Sequence, residues 1–287
     1  MAIKLPDELK ATIGPSVANA LSEDIGSGDL TAALVDADEI VGASIIARQS
    51  LVLSGHPFVD EVFSQLGDSV VINWYIGDGQ SAEADDVVCK LVGPARTLLT
   101  GERTALNFLQ TLSATATTTA RFVKAISSSK TQILDTRKTI PGLRLAQKYA
   151  VTCGGGTNHR VGLFDAILIK ENHIKSAGSI TDALQSAQKL DADVLIEVEV
   201  ESHDELLEAL DAGAGRILLD NFSIAELQQA VKTNEGYGYT AADLEASGNI
   251  TLESVSEIAD TGVDYISTGA LTKNIDAIDF SMLFRID

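Results

Sequence analysis

Charged side chains recur directly after short apolar runs in the second half of the sequence. Arg137 and Lys138 follow one run, Lys170 follows the next, and Glu199 and Asp220 end two more. Arginine matches carboxylate and phosphate groups bidentately, and lysine adds a point charge. Two carboxylates on adjacent strands could hold Mg²⁺ or accept hydrogen bonds from ribose hydroxyls. These residue types predict a site for a multiply charged anion.

The two acidic residues also admit a simpler interpretation, in which Glu199 and Asp220 only form ion pairs with Lys138 and Lys170. Glu197 precedes Glu199 by two residues and therefore lies on the same face of the predicted strand. It could share the role of Glu199 or lie deeper in the fold.

A glycine-rich turn adds two polar candidates. Three glycines, Gly154–Gly156, precede Asn158, His159 and Arg160. We expect His159 to hydrogen-bond an anion, with a structural role as the alternative. Backbone N–H groups in Ser247–Asn249 and Ser267–Gly269, each followed by a predicted helix, suit a phosphate group.

Several other chemistries fit the sequence less well. Cys153, His159 and His173 do not have the spacing of a zinc site. No G-x-S-x-G turn is present to carry a nucleophilic serine. A Schiff-base lyase using Lys138 or Lys170 stays open, as does a non-catalytic anion-binding or scaffold protein.

The overall charge narrows the class of protein. The chain has 287 residues and a formal net charge of −20, which argues against nucleic acid and anionic membranes as partners. Two cysteines, no apolar leader and no long apolar run favour the cytoplasm. The segment 137–175 nevertheless holds seven basic and two acidic residues. Of these, we expect Arg144 and Lys148 to be solvated on one helix face.

The elements that must position these residues follow an alternating pattern. Six apolar runs alternate with helical stretches such as GLRLAQKYAV and HDELLEALDAG, which predicts a parallel sheet. A closed or nearly closed α/β barrel fits this pattern best, and a doubly wound open sheet is the alternative. Residues 98–126 predict one or two helices, and the preceding β-branched runs predict a small mixed β/α unit. The six runs are QILDT, AILIKEN, VLIEVEV, RILLDN, DLEASGNI and DYISTGAL.

Motifs along nearly the whole chain resemble those of the quinolinate phosphoribosyltransferase family, also called carboxylating nicotinate-nucleotide pyrophosphorylases. DTRKT-x-PGLR and GGG-x-NHR, followed by KENH, are the most specific. Ile140 stands where the family often has Thr, and Asn249 where Gly is common. The remaining motifs are EDIGSGDLT, LLTGERTALNFLQ, EVEVES, LLDN, EASGNI and DYISTGALT.

The resemblance implies a fold and a reaction. The fold would be an incomplete, TIM-like parallel α/β barrel over 106–270, with an N-terminal mixed α/β sandwich-like domain over 1–105 to which 271–287 returns. The reaction would transfer phosphoribose from phosphoribosyl pyrophosphate to quinolinate with Mg²⁺ present. Decarboxylation would then give nicotinate mononucleotide, pyrophosphate and CO₂ on the de novo route to NAD. A homodimer or larger homo-oligomer would complete each site across chains.

The resemblance also implies roles for single residues. Arg137, His159 and Arg160 would surround the quinolinate carboxylates, with Arg103 entering from the partner chain. Lys138 and Lys170 would lie between the diacid and the pyrophosphate, and Glu199 and Asp220 would face the ribose and its metal; these four would be catalytic. Further substrate-binding residues would be Thr136 and, at the 5′-phosphate, Ser247, Gly248, Asn249, Ser267, Thr268 and Gly269.

The nearest alternative is a related phosphoribosyltransferase with another acceptor, either ModD-like or acting on nicotinate. Two ring carboxylates justify a set of cationic residues as large as Arg103, Arg137, His159 and Arg160, whereas one carboxylate would not.

Overall fold

A computed structural model describes residues 3–67, 69–190 and 192–285. The helices are α1 (Asp7–Ile25), α2 (His56–Gln65), α3 (Ala95–Ala125), α4 (Arg144–Cys153), α5 (Glu171–Ala177), α6 (Ile180–Gln188), α7 (His203–Asp211), α8 (Ile224–Glu235), α9 (Val255–Ala259) and α10 (Ala270–Lys273). The strands are β1 (Ile40–Ala47), β2 (Leu51–Val52), β3 (Val71–Trp74), β4 (Ser81–Ala82), β5 (Val87–Pro94), β6 (Gln132–Leu134), β7 (Ala166–Ile169), β8 (Leu195–Val200), β9 (Arg216–Asp220), β10 (Asp243–Ser247), β11 (Tyr265–Ser267) and β12 (Phe280–Arg285).

The chain forms two compact units. The first contains residues 1–120, 140–155 and 274–287, and the second contains 121–139 and 156–273. Residues 98–126 were predicted to form one or two helices and lie in the single helix α3, except for Ile126. The domain boundaries expected from the sequence stay a prediction.

An antiparallel sheet organises the first unit, in the strand order β12-β1-β5-β3. The C-terminal strand β12 pairs with β1 over six residue pairs, from Gly42 with Arg285 to Ala47 with Phe280. Helices α1 and α2 contribute Leu9, Val17 and Phe58 to the apolar core. The expectation of an N-terminal mixed α/β domain is confirmed.

Helix α4 differs from its sequence-based interpretation. It was predicted to alternate with the strands of the barrel, but it belongs to the first unit, and its residues Ala146, Tyr149 and Ala150 join that unit's core. Lys148, expected to be solvated, is only 2% exposed. The prediction of a solvated Lys148 was wrong because α4 is buried around most of its circumference.

Six parallel strands form the second unit, in the order β6-β11-β10-β9-β8-β7. Helices separate the later strands, and three of them begin at serine N-caps, Ser179, Ser202 and Ser223, whose hydroxyls accept backbone N–H groups. The sheet ends at β6 and β7, which are consecutive in the chain but are not paired with each other. The expected incomplete barrel is therefore confirmed.

The glycine-rich segment lies along the free edge of β6. Thr157 forms a parallel bridge with Leu134, and its N–H donates to the Ile133 carbonyl at 2.8 Å. His159 and Arg160, two and three residues further along the chain, are thereby placed near the first strand of the sheet. No helix among the described residues is long and apolar enough to cross a membrane.

Candidate active site

A cavity of about 280 Å³ lies at the carboxyl ends of the six parallel strands. Parallel strands of a barrel present their carboxyl ends on one face, which explains why residues distant in sequence meet there. The residues that line it are Thr136, Arg137, Lys138, His159, Arg160, Leu168, Lys170, Glu199, Leu218, Asp220, Glu245, Ser247 and Ser267.

The structure therefore brings together ten of the residues singled out from the sequence. Five others do not line this cavity: Arg103, Gly248, Asn249, Thr268 and Gly269. Arg103 is exposed on α3 in the first unit, and the other four follow lining residues at the ends of β10 and β11.

One side of the cavity is cationic. Arg160 donates from Nη1 to the Ala166 carbonyl at 3.3 Å, which directs its guanidinium toward the start of β7. Burial, and after it the charge of Arg137, lowers the pKa of Arg160 from its usual value. The Nε of Arg137 is buried and has no hydrogen-bond acceptor within the described parts of the chain. Two guanidinium groups in the lining of one cavity favour an anion with more than one charged group.

Carboxylates occupy the next two strand ends. Lys170 forms an ion pair with Glu199, which is one of the contacts that the simpler interpretation expected. Asp220 accepts a hydrogen bond from Asn221 Nδ2 at 2.8 Å. Carboxylate oxygens of Glu199, Glu201 and Asp220 lie within 4.8 Å of one another. Such a set of oxygen donors is chemically suited to a divalent cation.

The neighbouring strands β10 and β11 contribute Ser247 and Ser267 to the lining of the cavity. Tight backbone turns follow these serines. Gly248 has φ 101°, and a Cβ there would lie 2.3 Å from Asn221 Oδ1, so a larger residue does not fit. Asn249 follows with φ 47°, a conformation that asparagine tolerates better than most residues. Close approach of this backbone suits an oxyanion.

The rim of the cavity is formed by the strand-end side chains Lys138, Lys170, Glu199 and Asp220. A buried acidic pair, Glu197 and Glu245, lies beneath it. His159 Nε2 is 2.9 Å from Glu197 Oε2 and 3.5 Å from Glu245 Oε2. The side chains of the two glutamates are at most 1% exposed. Burial, and after it the charge of Glu197, raises the pKa of Glu245 to about 8. Burial therefore favours the neutral form of Glu245, and Glu197 lies deeper than Glu199, as one of the two alternatives predicted.

Sequence reasoning missed Glu245, which lines the cavity, and Glu201, which completes the acidic group. A signal for Glu245 was present. It precedes Ser247 by two residues on β10, in the way that Glu197 precedes Glu199 on β8. The same argument that placed Glu197 therefore applies to Glu245.

The chain is similar to proteins of one family along almost its whole length. Residues 29–113 match the family model for the N-terminal domain of quinolinate phosphoribosyl transferase, and residues 115–283 match the model for its C-terminal domain. A *Bacillus subtilis* (strain 168) protein named probable nicotinate-nucleotide pyrophosphorylase (carboxylating) is 42% identical over 261 residues, which cover 91% of this chain and 89% of that protein.

A *Nicotiana tabacum* protein named quinolinate phosphoribosyltransferase (decarboxylating) 2b, mitochondrial, is 39% identical and covers 92% of this chain and 79% of its own length. The solved nicotinate-nucleotide pyrophosphorylase from *Francisella tularensis* superimposes with a TM-score of 0.94 at 49% identity, covering 98% of each chain. The cavity, its motifs and these similarities lead to one conclusion: this chain belongs to the quinolinate phosphoribosyltransferase family.

Proposed function

We propose that the protein transfers phosphoribose from phosphoribosyl pyrophosphate to quinolinate and decarboxylates the adduct, giving nicotinate mononucleotide, pyrophosphate and CO₂. The observation that carries this proposal is that Arg137 and Arg160 line one cavity together with Lys138 and Lys170. Two ring carboxylates are the ligand that such a pair of guanidinium groups fits.

The cationic side addresses the main obstacle to the reaction, which is repulsion between a dianionic acid and a pyrophosphate-bearing sugar. Fixed arginine and lysine side chains offset that repulsion without reorganising. Lys138 and Lys170, on the rim between the proposed diacid and sugar positions, would also stabilise the negative charge of the leaving pyrophosphate. Holding both substrates in one cavity would align the ring nitrogen with C1′.

The bonds change in two steps. The pyridine nitrogen forms a bond to C1′ with its lone pair while the C1′–O bond to pyrophosphate breaks. The bond between the ring and the 2-carboxylate then breaks, CO₂ leaves, and the electron pair stays on the cationic ring until that carbon takes a proton. A pyridine nitrogen needs no general base. The protein has only to bind, orient and balance charge.

The carboxylate side suits the sugar and its cation. We propose that Glu199 and Asp220 face the ribose and hold Mg²⁺ through the substrate, since their oxygens and those of Glu201 lie within 4.8 Å of one another. Mg²⁺ would supply positive charge to the pyrophosphate oxygens. The same carboxylates would favour oxocarbenium character at C1′. Backbone of Ser247–Asn249 and Ser267–Gly269 would receive the 5′-phosphate.

We also propose a homodimer or larger homo-oligomer in which Arg103 of the partner subunit completes the site. Arg103 is exposed and is absent from the lining of the cavity. Leu163 and Phe164, three and four residues after Arg160, are 76% and 79% exposed, and Leu30 and Leu34 in the first unit are 88% and 86% exposed. Apolar surface of this kind is typical of an interface between chains. The free, buried thiols of Cys89 and Cys153 are compatible with a reducing compartment such as the cytoplasm.

The reaction can be tested directly. The protein is incubated with phosphoribosyl pyrophosphate, Mg²⁺ and quinolinate, and nicotinate mononucleotide and CO₂ are followed. Product from nicotinate but none from quinolinate would show that another acceptor is used. Binding of phosphoribosyl pyrophosphate without turnover of either acid would instead indicate a non-catalytic anion-binding protein.

The shared site can be tested by complementation. Arg103→Ala and Lys138→Ala chains should each be inactive, and mixed chains should recover about a quarter of the activity if a dimer forms by random exchange. Exchange is verified with two affinity tags. No recovery after verified exchange would contradict a contribution of Arg103 across chains.

A further inference from the structure

Both ring nitrogens of His159 face protein groups. Nδ1 accepts a hydrogen bond from the backbone N–H of Arg160 at 2.7 Å, and Nε2 lies within hydrogen-bonding distance of Glu197. A ring nitrogen that accepts carries no proton, so the single proton of the neutral imidazole is on Nε2. Only 7% of the His159 side chain is exposed, so the ring contributes to the cavity wall while its nitrogens point away from solvent.

We propose that His159 is a positioning residue, which ties the backbone of Arg160 to the buried pair Glu197 and Glu245 and thereby fixes the guanidinium of Arg160 for a substrate carboxylate. This inference rests on the proposed function for the identity of the substrate. It differs from the role that the family resemblance suggested, in which His159 itself meets the quinolinate carboxylates.

The surrounding contacts support a role in holding the loop. The His159 backbone N–H donates to Asp135 Oδ1 at 2.9 Å, and Asp135 is fully buried directly after β6. Thr157 is paired with β6 as described above, and Arg160 donates to the Ala166 carbonyl beside β7. The loop is thus attached on both sides of the opening in the sheet. His159 adds a third attachment, inward to β8 and β10.

The geometry of the buried pair matches this arrangement. Glu197 Oε2 and Glu245 Oε2 lie 2.9 Å and 3.5 Å from His159 Nε2, so both carboxyl groups face the ring nitrogen that carries the proton. A metal ion held by the same three residues does not fit. Coordination through Nε2 would leave both ring nitrogens without a proton while Nδ1 accepts from Arg160.

Kinetics of two single variants, their double variant and one control variant test the connection. In His159→Leu and Glu197→Leu, we expect the KM for quinolinate to rise about tenfold, as when about 1.4 kcal/mol of binding is lost. The KM for phosphoribosyl pyrophosphate should change less than about twofold, and the double variant should be no worse than either single one. His203→Leu, the same substitution on α7 of the same unit, should leave both constants unchanged.

Conservative variants distinguish positioning from a general loss of folding. Glu197→Gln keeps a carbonyl oxygen that is able to accept from the Nε2–H, which lies 2.9 Å from Glu197 Oε2, so it should retain the wild-type KM for quinolinate within about threefold. Equal rises in both KM values, additive effects in the double variant, or loss of one limb of the kcat–pH profile in His159→Leu would overturn the proposal. The last result would mean that His159 exchanges a proton during the reaction.

Nitrogen NMR tests the geometry without any substrate. The chain has four histidines, and His159→Asn assigns the signal of interest in ¹⁵N-histidine-labelled protein. We expect a neutral ring protonated at Nε2; a proton on Nδ1 would overturn the proposal whether or not quinolinate is turned over. Failure of the wild-type protein to use quinolinate, with the Nε2–H tautomer intact, would contradict the proposed function instead.

Discussion

Glu199 and Glu197 lie two positions apart on β8 and belong to two layers of acidic residues at different depths in the barrel. At the rim, Glu199 pairs with Lys170 and lines the cavity, whereas in the layer beneath, Glu197 is buried against His159 and Glu245. The residue type and the strand are the same, and only depth differs. At the rim, a charged carboxylate remains available to a substrate or cation, while in the buried layer the pKa of Glu245 is raised by burial and both carboxyl groups face His159 of the loop. Depth in the barrel therefore separates groups that meet substrate from groups that position others.

The largest effect should follow loss of a rim cation. We expect Lys170→Ala to lower kcat/KM about 1,000-fold, because a charge that stabilises the leaving pyrophosphate is lost and Glu199 becomes unpaired. Lys175→Ala is the matched control, since Lys175 pairs with Glu171 on α5. Equal losses in the two variants, measured in the quinolinate assay, would mean that the rim position has no special role.

A rim carboxylate should come next. We expect Asp220→Asn to lower kcat/KM about 100-fold and to shift the Mg²⁺ dependence to higher concentration, because one negative oxygen of the group with Glu199 and Glu201 is lost. Asp243→Asn, at the opposite end of the neighbouring strand β10, should change neither quantity. An unchanged Mg²⁺ dependence in Asp220→Asn would separate this carboxylate from the metal.

The sequence predicts the rim far better than the buried layer. Apolar runs followed by polar or charged residues locate the six strands and seven of the residues that line the cavity. The glycine-rich turn locates His159 and Arg160, and only the family resemblance points to Thr136. The contacts of His159 could not be predicted in the same way, because Glu197 and Glu245 lie on strands distant in the chain and only the folded sheet brings both to the imidazole ring. The prediction of a solvated Lys148 failed for a related reason: local sequence does not show which of the two units a helix belongs to.

The buried layer should have a pH signature in stability. Glu245 has a model-compound pKa of 4.5, and burial raises its pKa in the folded protein to about 8. Between these values the folded state binds more protons than the unfolded state, so the contribution of Glu245 to stability falls as pH rises through this window and is level above it. Glu245→Gln removes the ionisable group.

We therefore expect Glu245→Gln to become more stable relative to the wild type as pH rises from about 5 to about 9, by up to about 4 kcal/mol. Urea unfolding at several pH values measures this difference. Glu253→Gln is the control, because Glu253 is exposed and hydrogen bonds lower its pKa, whereas burial raises that of Glu245. The stability of this variant relative to the wild type should not increase with pH. A flat difference for Glu245→Gln would mean that the buried carboxyl is ionised in the folded protein.

The smallest effect should come from a substitution at Asn249 in the backbone turn that follows β10. Asn249 has φ 47° and donates to Asn221 Oδ1 at 3.5 Å, so Asn249→Gly exchanges a long hydrogen bond for a residue that adopts this φ freely. The two contributions oppose each other, and we expect the free energy of unfolding to change by less than about 0.5 kcal/mol and kcat/KM by less than about threefold.

Gly248→Ala is the contrasting variant, since its Cβ would lie 2.3 Å from Asn221 Oδ1 and displace the side chain that donates to Asp220. A larger loss in Asn249→Gly than in Gly248→Ala would mean that the rim depends on the Asn249 amide rather than on close backbone packing around Asn221.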